Sequence, residues 1–268
     1  MPSYIVEGGR KLYGEVDISG SKNASLPIIA ACILNGGVTK LYNVPQIHDT
    51  QMMFEILKKL GGKIKKNNSK ITIDSSHINK FEIPDDLMRQ MRSSVIIAGA
   101  LIGRFKKATF SYPGGCDIGE RAINLHLEAF RKLGINIEEK SGFIICKCDK
   151  IIGNDIHLDF PSVGATENII LASVLAEGTT TISNAAMEPE IIDLAECLNK
   201  MGGKITGAGT NFIKIEGVHK LKEIGYRIMP DRIEAGTFLC ATAITGGKVK
   251  INNARSENLT PILYKLEE

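Results

Sequence analysis

The chain has 268 residues, with 33 lysines and arginines against 30 aspartates and glutamates, five histidines and six cysteines. Its 43% apolar and 24% charged content excludes a disordered or collagen-like chain. A net charge of +3 on scattered basic residues is no nucleic-acid footprint, and the longest apolar runs, Leu26 to Leu34 and Ile169 to Leu175, are too short to cross a bilayer.

In chain order, Tyr4 to Ile18 reads as a pair of strands. Gly20-Ser21-Lys22-Asn23 opens an apolar helix over Ala24 to Leu34, and Val38 to Val44 reads as a strand. An amphipathic helix then runs to Leu60-Gly61, a C-terminal stop. A short strand, a polar turn and a second strand, Ile71 to Asp74, close a hairpin. The same order returns twice. Its helices are Ser93 to Ile102 and Ala165 to Ala176, its strands Ala108 to Tyr112 and Thr179 to Ala185, its stops Leu133-Gly134 and Met201-Gly202, and its last strands Phe143 to Cys148 and Phe212 to Glu216. The unit is helix, strand, helix, hairpin, and three units run from Ser21 to Ile228.

A fourth unit begins. Gly37-x-x-x-Leu41-x-Asn43 recurs as Gly178-x-x-x-Ile182-x-Asn184 and Gly247-x-x-x-Ile251-x-Asn253. The first two of these glycines each precede their stop by 24 residues, whereas the same step from Gly247 passes Glu268. The expected organisation is a complete three-repeat domain over residues 21–228, with residues 1–20 and 229–268 pairing as a fragment of a second domain. Apolar surface left on that fragment predicts self-association.

In the second unit the step from Lys106 to Gly134 is 28 residues, and the excess falls in Pro113-Gly114-Gly115-Cys116-Asp117-Ile118-Gly119-Glu120-Arg121. The loop over residues 112–122 is either a long turn with an incidental cysteine or an active-site lid whose thiol is tuned by Arg121. Lys22 sits at a helix N-terminus, where amide groups favour anions; it is either a solvated lysine or part of an anion site. Arg92 and Ser162-Val163-Gly164 start the equivalent helices. If the three starts converge, Lys22, Arg92 and Arg121 form a cationic pocket suited to phosphates. Cys32, Cys197 and Cys240 read as core, and the Cys146-x-Cys148 pair as packing or surface. His48, His77, His126, His157 and His219 have no partner at metal-ligand spacing and read as structural or surface residues. With no secretory signal visible, the cysteines are expected to be free thiols in a reducing compartment.

These segments resemble the UDP-N-acetylglucosamine 1-carboxyvinyltransferase family. The resemblance runs from Tyr4 to about Leu266. It is carried by Gly20-Ser21-Lys22-Asn23-Ala24, Met91-Arg92-Ser93-Ser94, Pro113-Gly114-Gly115-Cys116 with Arg121, Ser162-Val163-Gly164-Ala165-Thr166-Glu167-Asn168, Glu188-Pro189-Glu190-Ile191 and Pro230-Asp231-Arg232-Ile233-Glu234-Ala235-Gly236-Thr237. The loop cysteine separates this family from the related 5-enolpyruvylshikimate-3-phosphate synthases.

The resemblance implies an α/β (α+β) fold, an inside-out α/β barrel of three repeats with part of a second such domain. It implies transfer of enolpyruvyl from phosphoenolpyruvate to the 3′-hydroxyl of UDP-N-acetylglucosamine, with release of phosphate, as the first committed step of peptidoglycan synthesis. No metal or organic cofactor is implied. Lys22 and Asn23 would hold the two substrates. Cys116 would protonate the enol carbon and can form a covalent adduct with phosphoenolpyruvate. Arg121 would contact phosphate and Arg92 would line the cleft. Arg121, Ala122, Ile123, Asn124 and Leu125, together with Ser162, Val163 and Gly164, would hold the nucleotide. Ala122, Asn124 and Phe160 depart from the residues that many members carry. The family's base, an aspartate, falls beyond residue 268, which makes a non-catalytic sugar-nucleotide-binding fragment the alternative. A cytoplasmic protein with no nucleic-acid or membrane partner is expected.

Overall fold

The computed structural model describes residues 3–67, 70–112, 114 and 123–268. It divides into two compact units, residues 1–21 with 230–268, and residues 22–229.

In the larger unit the first repeat comprises α1 (Lys22–Ala31), β2 (Val38–Tyr42), α2 (His48–Lys59) and the hairpin β3 (Lys63–Asn67) with β4 (Lys70–Asp74); β1 (Tyr13–Asp17) precedes it in the chain. A short α3 (Asp85–Met88) and a 3-10 turn, Arg92–Val95, lead into the second repeat: α4 (Ile96–Phe105), β5 (Lys107–Ser111), α5 (Asn124–Lys132), β6 (Asn136–Lys140) and β7 (Phe143–Lys147). The third follows β8 (Asp155–His157) as α6 (Val163–Ser173), β9 (Thr179–Ser183), α7 (Pro189–Lys200), β10 (Lys204–Thr206) and β11 (Phe212–Glu216), and β12 (Ile224–Arg227) ends this unit.

The first helix of each repeat is apolar on nearly every side and lies innermost. Eight of ten residues are buried in α1 and in α4, and nine of eleven in α6. A helix apolar all round must be surrounded. The strands have one buried and one exposed face, as in the alternation of β4 and β11, so the sheets form the outside. This is the expected inside-out arrangement. Among the described residues its sheets stay separate, ordered β12-β2-β4-β3, β5-β7-β6 and β10-β11-β9-β8, and no closed barrel forms.

Helix α4 approaches α6 through glycines. A Cβ at Gly99 would lie 2.4 Å from Asn168 Oδ1, and one at Gly103 would lie 2.5 Å from the Leu171 carbonyl. The helices end as their glycines dictate, with positive φ at Gly61, Gly134 and Gly202. The repeated asparagine has its own reason. Asn43, Asn184 and Asn253 all sit at positive φ, 61°, 56° and 59°, which asparagine tolerates. Asn43 Nδ2 donates to the Ile228 carbonyl at 3.0 Å and Asn184 Nδ2 to the Leu158 carbonyl at 2.8 Å. Each turn is thereby tied to the end of a neighbouring parallel strand.

Those parallel strands are absent from the helix–strand–helix–hairpin reading. β8 precedes α6 and pairs in parallel with β9. Phe81–Ile83 does the same for β5, through Thr109. Beside β2, however, lies β12.

The smaller unit adds α8 (Arg232–Thr245), β13 (Lys248–Asn252), a 3-10 turn, Ser256–Asn258, and α9 (Thr260–Glu267). Its sheet is β1 in parallel with β13. Two expectations are corrected here. Residues Tyr4 to Ile18 supply one strand, not two: among the described residues only Tyr13–Asp17 finds a ladder partner, and Tyr4, Ile5 and Val6 are exposed. A strand without a neighbour has nowhere to place its amide groups except water. Cys240, read as core, is exposed, because α8 buries only Ala235 and Gly236 of its fourteen residues.

Candidate functional site

The start of α6 is capped by Ser162, whose Oγ accepts the Ala165 amide at 3.4 Å. Beside it opens a cavity of about 960 Å³ whose lining, among the described residues, comes from the larger unit. Six of the expected residues meet there: Asn23 of α1, Asn124 and Leu125 of α5, and Ser162, Val163 and Gly164. Gly164 lets the His126 ring approach closely, since a Cβ there would stand 3.3 Å from His126 Cε1. Ile123 is buried just before α5 and its carbonyl accepts the Leu127 amide at 3.2 Å. It supports the wall without lining it.

Lys22 opens α1, and its Nζ lies 3.3 Å from Asp49 Oδ2 in the first turn of α2, both side chains partly exposed. Such a pair is worth less than about 1 kcal/mol and yields to a stronger anion. Asp49 was not singled out in the sequence. Arg92 opens the 3-10 turn before α4, with its side chain outside the described atoms. Cys116, Arg121 and Ala122 lie outside the described residues.

The sequence reading also missed His126, Glu128, Asp159 and Glu167, which line the cavity too. His126 is buried, and its Nδ1 lies 2.7 Å from Asn168 Nδ2. Asn168 Oδ1 takes the Gly99 amide at 2.9 Å and Nδ2 also reaches the Val95 carbonyl at 3.1 Å. The amide is thus fixed with its NH₂ toward His126, so Nδ1 accepts and the ring carries its proton on Nε2. Glu167 is 2% exposed. Burial first, then Glu190 and Glu188, raise its carboxyl well above the usual range. A signal for it existed: Thr166-Glu167-Asn168 is a polar run in a helix whose counterpart in the first repeat reads Ser25-Leu26-Pro27.

A family model described as EPSP synthase (3-phosphoshikimate 1-carboxyvinyltransferase) matches residues 6–268. The chain is 54% identical to UDP-N-acetylglucosamine 1-carboxyvinyltransferase 2 of Caldanaerobacter subterraneus subsp. tengcongensis, over 100% of this chain and 64% of that protein. It is 47% identical to the protein of the same name from Carboxydothermus hydrogenoformans, again over 100% and 64%. The chain therefore spans 64% of the length of these relatives. In fold it is similar to the enolpyruvyl transferase NikO from Streptomyces tendae, with a TM-score of 0.85 at 22% identity, covering 97% of this chain and 63% of that one. EPSP synthase from Acinetobacter baumannii gives a TM-score of 0.70 at 20% identity over 90% of this chain and 56% of that one.

Proposed function

Because the chain belongs to the EPSP synthase family of carboxyvinyltransferases, we propose that it carries the substrate-binding wall and acid of a UDP-N-acetylglucosamine 1-carboxyvinyltransferase. In this reading the sugar 3′-hydroxyl adds to C2 of phosphoenolpyruvate while Cys116 delivers a proton to C3. Loss of a C3 proton and of phosphate then leaves the enolpyruvyl ether. Lys22 and Asn23 hold the substrates, Arg92 and Arg121 meet their negative charge, and residues 121–125 and 162–164 hold the nucleotide. Anionic substrates call for such cationic groups, and a thiol is a usable proton donor near neutral pH. The setting is the first committed step of peptidoglycan synthesis in the cytoplasm. Residues 21–228 are the complete three-repeat domain, and residues 1–20 with 229–268 belong to a second.

The observation that carries this reading is the convergence of Asn23, Asn124, Leu125, Ser162, Val163 and Gly164 on one cavity. Calorimetric titration of UDP-N-acetylglucosamine into the 268-residue chain tests it, with Arg121→Ala expected to weaken binding at least tenfold, about 1.4 kcal/mol. A folded chain that binds no sugar nucleotide defeats it. Phosphate release with phosphoenolpyruvate, present in the chain and lost in Cys116→Ala, tests the chemistry.

A second reading, a non-catalytic sugar-nucleotide-binding chain, is favoured by the described lining of the cavity all belonging to one unit. Binding without phosphate release selects it. Self-association through the exposed Ile233, Ile244 and Tyr264 is proposed as well. Light scattering that returns a monomer at high concentration refutes it.

A further inference from the structure

Glu167 is a buried carboxyl that makes no hydrogen bond or ion pair among the described residues, yet it reaches the cavity wall. With no partner from the described residues, its carboxyl is left to pair with what fills the cavity, water or a ligand. The cavity also fixes what that partner is. Gly164, three residues earlier on α6, lies on the same helix face, where the free amide groups of the first turn attract negative charge. Glu190 of α7 and Glu188 just before it act on the Glu167 carboxyl by charge repulsion. His126 and Glu128 of α5 and Asp159 before α6 share its cavity. The Glu190 and Glu188 charges disfavour a phosphate beside Glu167 and favour groups that donate hydrogen bonds.

We propose that Glu167 is a specificity-determining residue whose carboxyl exchanges hydrogen bonds with the hydroxyl or amide groups of the sugar half of a nucleotide sugar, the phosphates lying toward the α6 N-terminus. This rests on the nucleotide-sugar reading above and extends it to a residue outside the expected set. A carboxyl group offers acceptor oxygens and, when protonated, a donor as well, so it can match a sugar hydroxyl or amide.

The test is calorimetry with two probes, UDP-N-acetylglucosamine and UDP, on the wild-type chain, Glu167→Leu and Glu167→Gln. Glu167→Leu is expected to weaken the sugar nucleotide about tenfold and UDP less than about twofold. Glu167→Gln, which keeps a donor and an acceptor, is expected to restore the sugar nucleotide to within about threefold of wild type. Should the leucine variant not fold, Glu167→Ala is expected to show the same split. Equal weakening of both probes, or none, overturns the assignment, because a purely structural role does not discriminate between them. A wild-type chain that binds UDP-N-acetylglucosamine no tighter than UDP overturns it too. If the wild type binds neither probe, the nucleotide-sugar reading itself fails and takes the assignment with it.

Discussion

Individual side chains in the larger unit carry opposing loads. Glu167 titrates well above 4.5 when folded, because of burial and then Glu190 and Glu188. Between the unfolded and folded values the native state holds a proton that the unfolded chain has lost, so stability falls as pH rises through that window. Glu167→Gln removes the titration. Urea midpoints should show it more stabilising at about pH 8 than at about pH 5, and an equal effect at both would contradict the shift. Tyr226 presents the opposite case, a satisfied group. Its hydroxyl donates to Asp193 Oδ1 at 2.8 Å, and the Met229 amide reaches Oδ2 at 3.2 Å, tying the end of this unit to α7. Tyr226→Phe strips a hydrogen bond from a buried carboxylate and should cost about 1–3 kcal/mol in chemical denaturation. Among thiols, burial pushes Cys32 and Cys146 up to about 12. Cys197 is raised well above 9.0, also by burial. In a Cys116→Ser background, the exposed Cys240 should react first with a disulfide reagent, read by mass mapping.

At the level of elements, the α4–α6 crossing has the least slack. A methyl at Gly103 meets the Leu171 carbonyl at 2.5 Å and Leu34 Cδ2 at 2.9 Å, so backbone must shift. Gly103→Ala is expected to destabilise by about 1–3 kcal/mol in thermal melts, and a neutral result would mean the helices separate freely. This contact was not legible beforehand, because Gly99-x-x-x-Gly103 inside an apolar run also reads as an ordinary buried helix. What was legible was local and repeated. The stops at Gly61, Gly134 and Gly202, the three hairpins and the Gly-x-x-x-(Leu/Ile)-x-Asn turns follow from backbone requirements that the same residues meet each time. At long range the two chain ends were expected to pair, and β1 lies beside β13. What escaped was β12, which precedes α8 yet pairs with β2. Sequence spacing alone does not say which neighbour a strand takes. The candidate site divides the same way. The family resemblance, anchored at the helix starts, gave Asn23, Ser162, Val163 and Gly164, whereas His126 and Glu167 lie within α5 and α6, where a polar side chain is usually read as packing.

Across the whole molecule, the two units rest on cores of very different size. In the larger one, α1, α4 and α6 are buried almost completely, and Asn168 ties α6 to α4 and α5. In the smaller one, the buried apolar side chains among the described residues are Ile18, Ala235 and Leu259, with partly buried residues such as Phe238, Leu239 and Ile251 around them, and its sheet has two strands. A two-stranded sheet with so little apolar cover has low local stability. Opening of the smaller unit exposes little apolar area and leaves the larger core intact, so it should precede global unfolding. Hydrogen exchange measured by mass spectrometry under native conditions should therefore show β1, β13 and α8 exchanging well before α4 and α6. Low urea should widen that gap before the larger unit yields. Because the described residues that line the cavity all fall within 22–229, sugar-nucleotide binding should survive the first transition. Loss of protection in α8 and α4 at the same rate would show one cooperative unit, and loss of binding together with α8 would place part of the ligand's support in residues 230–268.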